Sequence, residues 1–123
     1  MNIKEKIFSA LNGSENLTKL LAKDSRGQCI YHARSPDAGS YPILIYSIIS
    51  DVPAVTADAT ELERKITLRI HIVTKDGAFE KIYREVVKII LSLGFVRVQA
   101  TEFFESDEFI KVADFRARLG VDE

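Results

Sequence analysis

A change of hydrophobic period in the middle of the chain constrains its fold more than any other sequence feature. Across Glu63–Thr74 apolar and polar residues alternate strictly, which is typical of a strand with one buried and one polar face. Apolar residues then recur at helical spacing over Phe79–Leu93, with Asp76 as the predicted N-cap and Gly94 placed to end the helix. A half-buried strand followed directly by an amphipathic helix predicts a sheet with that helix packed on one face.

Further helices and strands are predicted on both sides of this unit. The predicted helices are Ile3–Leu11 and Glu15–Ala22, and the predicted strands are Cys29–Ala33, Pro42–Ser50, Phe95–Phe104 and Phe109–Leu119. Asp51-Val52-Pro53 is predicted to end a strand, and residues 54–62 fit either a loop or the edge of a hairpin. The predicted fold is an α+β two-layer sandwich. Its sheet is largely antiparallel, with about four to five strands, and is packed by one long helix plus an N-terminal helix.

Length and composition are those of an ordinary globular protein. The 123 residues fit one domain, residues 1–123, and 46% hydrophobic residues supply a core without disulfides. Lysine and arginine number 17 against 18 acidic residues, so the general basic excess of nucleic-acid-coating proteins is missing. The charged N-terminus has no apolar signal core, and the longest apolar run, residues 41–49, is too short to span a bilayer. A cytosolic or virion-interior setting without a membrane partner is expected.

The residue types that ligate metals or act as nucleophiles are few and scattered. The single cysteine, Cys29, excludes an intramolecular disulfide and a cysteine-based zinc site. His32 follows Cys29 by three residues on a predicted strand, which places the two on opposite faces. His71 lies on the polar face of its strand beside Arg69 and is interpreted as a solvated surface histidine. These residues predict neither a metal site nor a nucleophilic centre.

No phosphate-binding or calcium-binding pattern is present in the sequence. The six glycines are widely spaced, and no serine lies in a nucleophile-elbow motif. The acidic run at residues 102–108 lacks the residue order of a calcium loop and is interpreted as a solvated hairpin turn. The chain is therefore expected to have no catalytic residue and no cofactor, and not to be an enzyme. A small enzyme with an unrecognised polar site is kept as an alternative.

Three arginines, Arg97, Arg116 and Arg118, are predicted to lie on the polar faces of the last two strands. Together with Arg69 they would make the open face of the sheet cationic. Such a face fits a subunit interface in which arginines pair with carboxylates such as Asp114. It also fits a nucleic-acid platform, although aromatic residues for base stacking are not interleaved with the arginines. The interface or a plain solvated face is favoured.

Several segments of the chain carry a resemblance to a known family. They are the helix Ile3–Leu11 with Leu17–Leu21, the phrase aromatic-Pro-apolar-apolar-aromatic within Ser40–Tyr46, the strand Ile66–Val73 leading into the helix Ala78–Leu93, and the hairpin of Phe95–Phe104 with Phe109–Leu119. In this order they resemble the tail-completion proteins, also called tail-terminator or neck proteins, of long-tailed phages and prophages. The resemblance covers nearly the whole chain.

This resemblance implies a structural role in virion assembly. Proteins of this family form rings, commonly hexameric, at the head-proximal end of the tail tube. It implies homo-oligomerisation, tail-tube and head-connector partners, no sequence-specific nucleic-acid contact, and passage from the cytoplasm to the head–tail junction of the virion. A small nucleic-acid-binding α+β domain is the alternative from another class. The candidate interface residues, three for docking to a neighbouring ring and three for subunit contacts, are Arg34, Asp37, Tyr41, Arg97, Arg116 and Arg118.

Overall fold

The helices and strands follow the order that the hydrophobic periods predict. The computed structural model describes residues 2–33, 41–57 and 60–120. Its elements are α1 (Ile3–Asn12), α2 (Glu15–Thr18), β1 (Ile30–His32), β2 (Ile43–Ala57), β3 (Thr60–Thr74), α3 (Glu80–Ser92), β4 (Val96–Glu105) and β5 (Glu108–Gly120).

Strand β3 is the centre of the sheet and has the two faces that its alternation predicts. Its fully buried residues, each 0% exposed, are Ile66, Leu68, Ile70 and Ile72. It pairs antiparallel with β2 on one side and with β5 on the other, while β4 pairs antiparallel with β5 and β1 pairs parallel with β2. The strand order is β1-β2-β3-β5-β4. The predicted α+β sandwich with a largely antiparallel sheet is confirmed.

The helices pack on the sheet face that carries the buried β3 residues, which we call the helix face. The helical residues buried in this core are Ile3, Ile7, Leu11, Leu17, Ile82, Val86 and Ile90. The opposite face, called the open face, has a smaller apolar cluster around Tyr31, Ile43 and Val73. As predicted, Gly94 follows α3, and its φ of +96° lies in the left-handed region that favours glycine.

Two helix boundaries differ from the prediction. Helix α2 stops at Thr18 because the following backbone bonds join residues three apart, as in a 3₁₀ turn. Ser14 caps it as expected, since its Oγ accepts the Leu17 N–H at 3.3 Å. Helix α3 begins at Glu80, and Asp76 is not its N-cap. The Asp76 carboxylate instead accepts the Ala78 N–H at 3.0 Å, which stabilises the turn before the helix.

Strand β2 continues beyond Pro53, where the sequence predicts its end. It pairs with β3 as far as Ala57 opposite Thr60, with register shifts near Ser50 and Val55. Residues 54–57 and 60–62 therefore belong to a hairpin, and residues 58–59 lie outside the described residues. Among the described residues β1 covers only positions 44–46 of β2, so the outer side of β2 is open at Pro53. Proline, which has no N–H to donate, is found in strands mainly at such open edges and at bulges.

Candidate interaction surfaces

A β-bulge in β4 divides the three candidate arginines between the two faces of the sheet. The register with β5 shifts so that Arg97 pairs with Phe115, whereas Gln99 pairs with Asp114. Phe115 is buried in the core, so Arg97 lies on the helix face, where its guanidinium donates to Tyr83 Oη at 3.4 Å. The prediction that Arg97 lies with Arg116 and Arg118 on the open face of the sheet is therefore wrong.

Arg116 and Arg118 lie on the open face, as the alternation of β5 predicts, and both are exposed. Lys65 of β3 is directly opposite Arg118, and Thr67 is opposite Arg116. Like charges directly across two strands repel each other. Within the described part of the chain no carboxylate forms an ion pair with Lys65, Arg116 or Arg118. These three residues make a cationic strip at one end of the open face.

Asp114, an expected acidic partner across an interface, is already paired within the chain. Arg69 Nε and Nη2 donate to its two carboxylate oxygens at 2.8 and 3.0 Å. Gln99 Nε2 also donates to Asp114 Oδ2 at 3.0 Å. The hydrogen bonds from Arg69, and then that from Gln99, hold the pKa of the Asp114 carboxyl below its usual range despite burial. This three-residue network ties β3, β4 and β5 together on the open face.

His71 is half-buried beside this network and is not the solvated surface residue that the alternation predicts. Its cross-strand neighbours are Ile45 and Val112, which shield the ring from water. Its Nδ1 is buried and has no hydrogen-bond partner among the described residues. Burial, and then the positive charge of Arg69, lower the pKa of the imidazole. The ring is therefore neutral at pH 7.

His71→Gln is expected to flatten the pH dependence of stability on the acid side of neutrality. The unfolded chain takes up a proton on this histidine near pH 6.5, before the folded protein does. The stability of the native chain is thus undiminished above about pH 6.5 and falls as the pH drops toward the lower, folded-state pKa. Urea unfolding at several pH values from about 7.5 to 5 measures this slope. An unchanged slope in His71→Gln would contradict the assignment, and exposed His32→Gln is the matched control.

Cys29 and His32 are not brought together as a nucleophile and a base. Cys29 is 2% exposed, and burial raises the pKa of its thiol. The His32 side chain is exposed, and its ring lies 5.2 Å from that of Tyr46. Across residues 2–33, 41–57 and 60–120, no group of three or more acidic, histidine or cysteine side chains is placed to hold a metal ion. No helix in the same ranges combines the length and apolar character needed to cross a membrane.

Tyr41 is the one residue of the predicted docking segment that the structure describes, since Arg34 and Asp37 lie outside the described residues. Its hydroxyl donates to Glu108 Oε1 at 2.8 Å. The Lys75 ammonium lies 4.9 Å from the centre of its ring. Tyr41 thus connects the start of β2 to the turn between β4 and β5.

The end of the β4–β5 hairpin exposes aromatic residues that sequence analysis did not single out as functional. Phe104 and Phe109 face each other with ring centroids 4.8 Å apart, and they are 58% and 37% exposed. Ser106 and Asp107 both have positive φ, which makes the tight hairpin turn. Glu105, at the end of β4, and Asp107, in the turn, are also exposed. We call residues 104–109 the aromatic tip.

A signal for the aromatic tip is present in the sequence. Phe103 and Phe104 are adjacent, and adjacent residues of a strand point to opposite faces. One of them therefore has to lie away from the helices. Phe103 is the one on the open face, opposite Ile110, and is 41% exposed.

A groove between α3 and β4 lies nearer the start of β4. It has a volume of about 280 Å³ and is lined by Glu80, Tyr83, Arg84, Val87 and Arg97. Tyr83 and Val87 are half-buried, and the two arginines are exposed. Neither arginine forms an ion pair with a carboxylate of the described residues. We call this the α3–β4 groove, and it combines an apolar surface with unpaired positive charge.

Known proteins match this chain in structure and not in sequence. No family model matches, and no curated protein matches. One similar solved structure is a chain in the virion of a native gene transfer agent particle, with a TM-score of 0.67 and 16% identity over 96% of this chain and 94% of that one. A second solved chain matches 97% of this chain and 96% of its own length, but its TM-score of 0.47 at 8% identity is too low to carry an argument. This chain therefore shares its fold with a chain from a gene transfer agent virion.

Proposed function

We propose that this chain is a structural virion-assembly protein of a phage or phage-like particle, of the tail-terminator or tail-completion kind. The observation that carries the proposal is the shared fold with a virion chain, which extends over 96% of one chain and 94% of the other. A match over nearly the full length of both chains relates whole subunits, so a role in building a particle is the simplest common function. The order of elements that resembles tail-completion proteins supports the finer assignment.

In this role the chain acts through its surface and not through catalysis. Strand β4 is an edge of the sheet, so one row of its backbone groups faces outward. Its side chains are also exposed, with Val96 at 62% and Val98 at 43%. Exposed apolar residues on an open edge are typical of a surface that another protein covers.

The proposed assembly is a ring at the head-proximal end of the tail. A ring needs one surface of each subunit to meet a different surface of the next. Arg97, Arg116 and Arg118 are proposed for these subunit contacts, and the segment Arg34–Tyr41 for docking to a neighbouring ring. Tail-tube and head-connector proteins are the proposed partners. The chain would act in the cytoplasm during assembly and then remain in the virion.

Immunogold electron microscopy of particles purified from the source organism tests this function. The expected result is label at the junction of head and tail, together with peptides of this chain in the particle proteome. Particles without the protein would overturn the proposal. Titration of the purified chain with duplex DNA at several salt concentrations tests the nucleic-acid alternative, because phosphate binding weakens steeply with salt.

A further inference from the structure

The aromatic tip and the α3–β4 groove lie on the same face of the sheet but far apart along β4. Phe109 lies on the same face of β5 as the core residue Phe115, because the two are an even number of positions apart. Phe104 pairs with Phe109 and therefore lies on that face too. Arg97 is also on the helix face. Phe104 lies seven positions beyond Arg97, which is roughly 20 Å of strand. The tip therefore cannot enter the groove of its own chain.

The two surfaces are complementary in charge and polarity. The tip presents an exposed Phe104 ring, and Glu105 and Asp107 of the same hairpin end are also exposed. The groove presents the apolar parts of Tyr83 and Val87 with two guanidinium groups, alongside one carboxylate from Glu80. Neither Glu105 nor Asp107 forms an ion pair in the part of the chain that the structure describes. Each surface thus offers the partner groups that the other one lacks.

We propose that the aromatic tip of one copy inserts into the α3–β4 groove of the next copy. Phe104 packs against Tyr83 and Val87, while the tip carboxylates meet Arg84 and Arg97. The contact joins two different surfaces of identical chains, so it repeats from copy to copy and closes into a ring when the rotation permits. This inference rests on the proposed function, because it names the subunit contact that such a ring uses.

Two complementary variants test this contact directly. A tip variant carries Phe104→Ser and Glu105→Lys, and a groove variant carries Arg84→Glu and Arg97→Glu. All four positions are exposed, so both variants are expected to fold, which circular dichroism checks. Each variant alone should associate at least about tenfold more weakly than the native chain. An equimolar mixture retains one intact tip and one intact groove, and should form dimers of twice the 13.8 kDa chain mass.

Sedimentation velocity of the native chain, each variant and the mixture gives distinct outcomes. Rings formed by either variant alone, or a mixture that stays monomeric while the native chain assembles, would overturn this contact and leave ring formation intact. Virions that lack the protein would overturn the proposed function, while the dimer in the mixture would still support the contact. Lys4→Glu with Lys6→Glu is the charge-matched control, because both residues are exposed on α1 and belong neither to the tip nor to the groove lining.

A paramagnetic label decides the question if the native chain is monomeric in the centrifuge. Cys29 is 2% exposed, so a nitroxide on Ser106→Cys is directed to the tip. The nitroxide-labelled chain is mixed with a nitrogen-15-enriched chain that carries no nitroxide. The nitroxide should then broaden the amide signals of residues 83–87 and 97 in the enriched chain. The same label should leave those signals sharp in the groove variant. Broadening confined to other surfaces, or no broadening near 1 mM, would overturn the proposal.

Discussion

Phe115→Ala is expected to lower the free energy of unfolding by about 3–5 kcal/mol. Phe115 is 0% exposed and lies opposite Leu68 of β3, under the helices. Removing its ring leaves a cavity in the middle of the core that strands on both sides cannot collapse to fill, because β5 is hydrogen-bonded to β3 and to β4. Urea unfolding followed by circular dichroism at pH 7 measures the loss.

Phe104→Ala is the matched control, since it removes the same ring from the neighbouring strand. Phe104 is 58% exposed and its ring contacts that of Phe109. Its loss should cost less than about 1 kcal/mol in the monomer. Equal losses in the two variants would show that the helices do not cover Phe115 as the structure has it.

Asp114→Asn is expected to lower the free energy of unfolding at pH 7 by about 2 kcal/mol. The substitution leaves the Arg69 guanidinium without its carboxylate, in a site where the Asp114 side chain is 5% exposed. The Arg69 side chain is 37% exposed, so water solvates part of the unpaired charge and keeps the loss below that of a fully buried pair. Asp51→Asn is the matched control, because the Asp51 side chain is 45% exposed in its ion pair with Arg64.

The stability difference between the native chain and Asp114→Asn should also depend on pH. The folded-state pKa of Asp114 lies below its unfolded value of about 3.9. Its stabilising contribution is therefore complete above about pH 4 and is lost as the pH falls through the folded-state pKa. Unfolding curves at about pH 7, 4 and 2.5 should show the two proteins converging in acid. A difference that stays constant would contradict an ionised Asp114 as the source of the stability.

The elements that depend on local pattern could be predicted from the sequence. The apolar residues of Ile66–Ile72 and of α3 recur with the period that turns them toward the core. The structure accordingly has the strand and the helix that these periods predict. The boundaries around Pro53 could not be predicted, because they depend on how far β1 extends along β2. That length is decided by pairing between distant segments and has no local signature.

The candidate surfaces were predictable only in part for the same reason. Arg116 and Arg118 follow the simple alternation of β5 and lie on the open face as expected. Arg97 does not, because a single extra residue near position 98 reverses its side, and periodicity in β4 alone cannot show a register shift against β5. The pairing of Asp114 with Arg69, 45 residues earlier, is likewise a product of strand order. The interface roles of these arginines and of Tyr41 stay predictions.

The bulge in β4 has a consequence for the isolated chain. A ten-residue outer strand with exposed valines and phenylalanines is a ready template for uncontrolled aggregation with other chains. The extra residue bends and twists the strand, so its outward N–H and C=O groups do not form one flat row. Natural sheets use this device to keep such strands from joining. The bulge thus disfavours edge-to-edge pairing of β4 with other chains while its aromatic residues stay exposed.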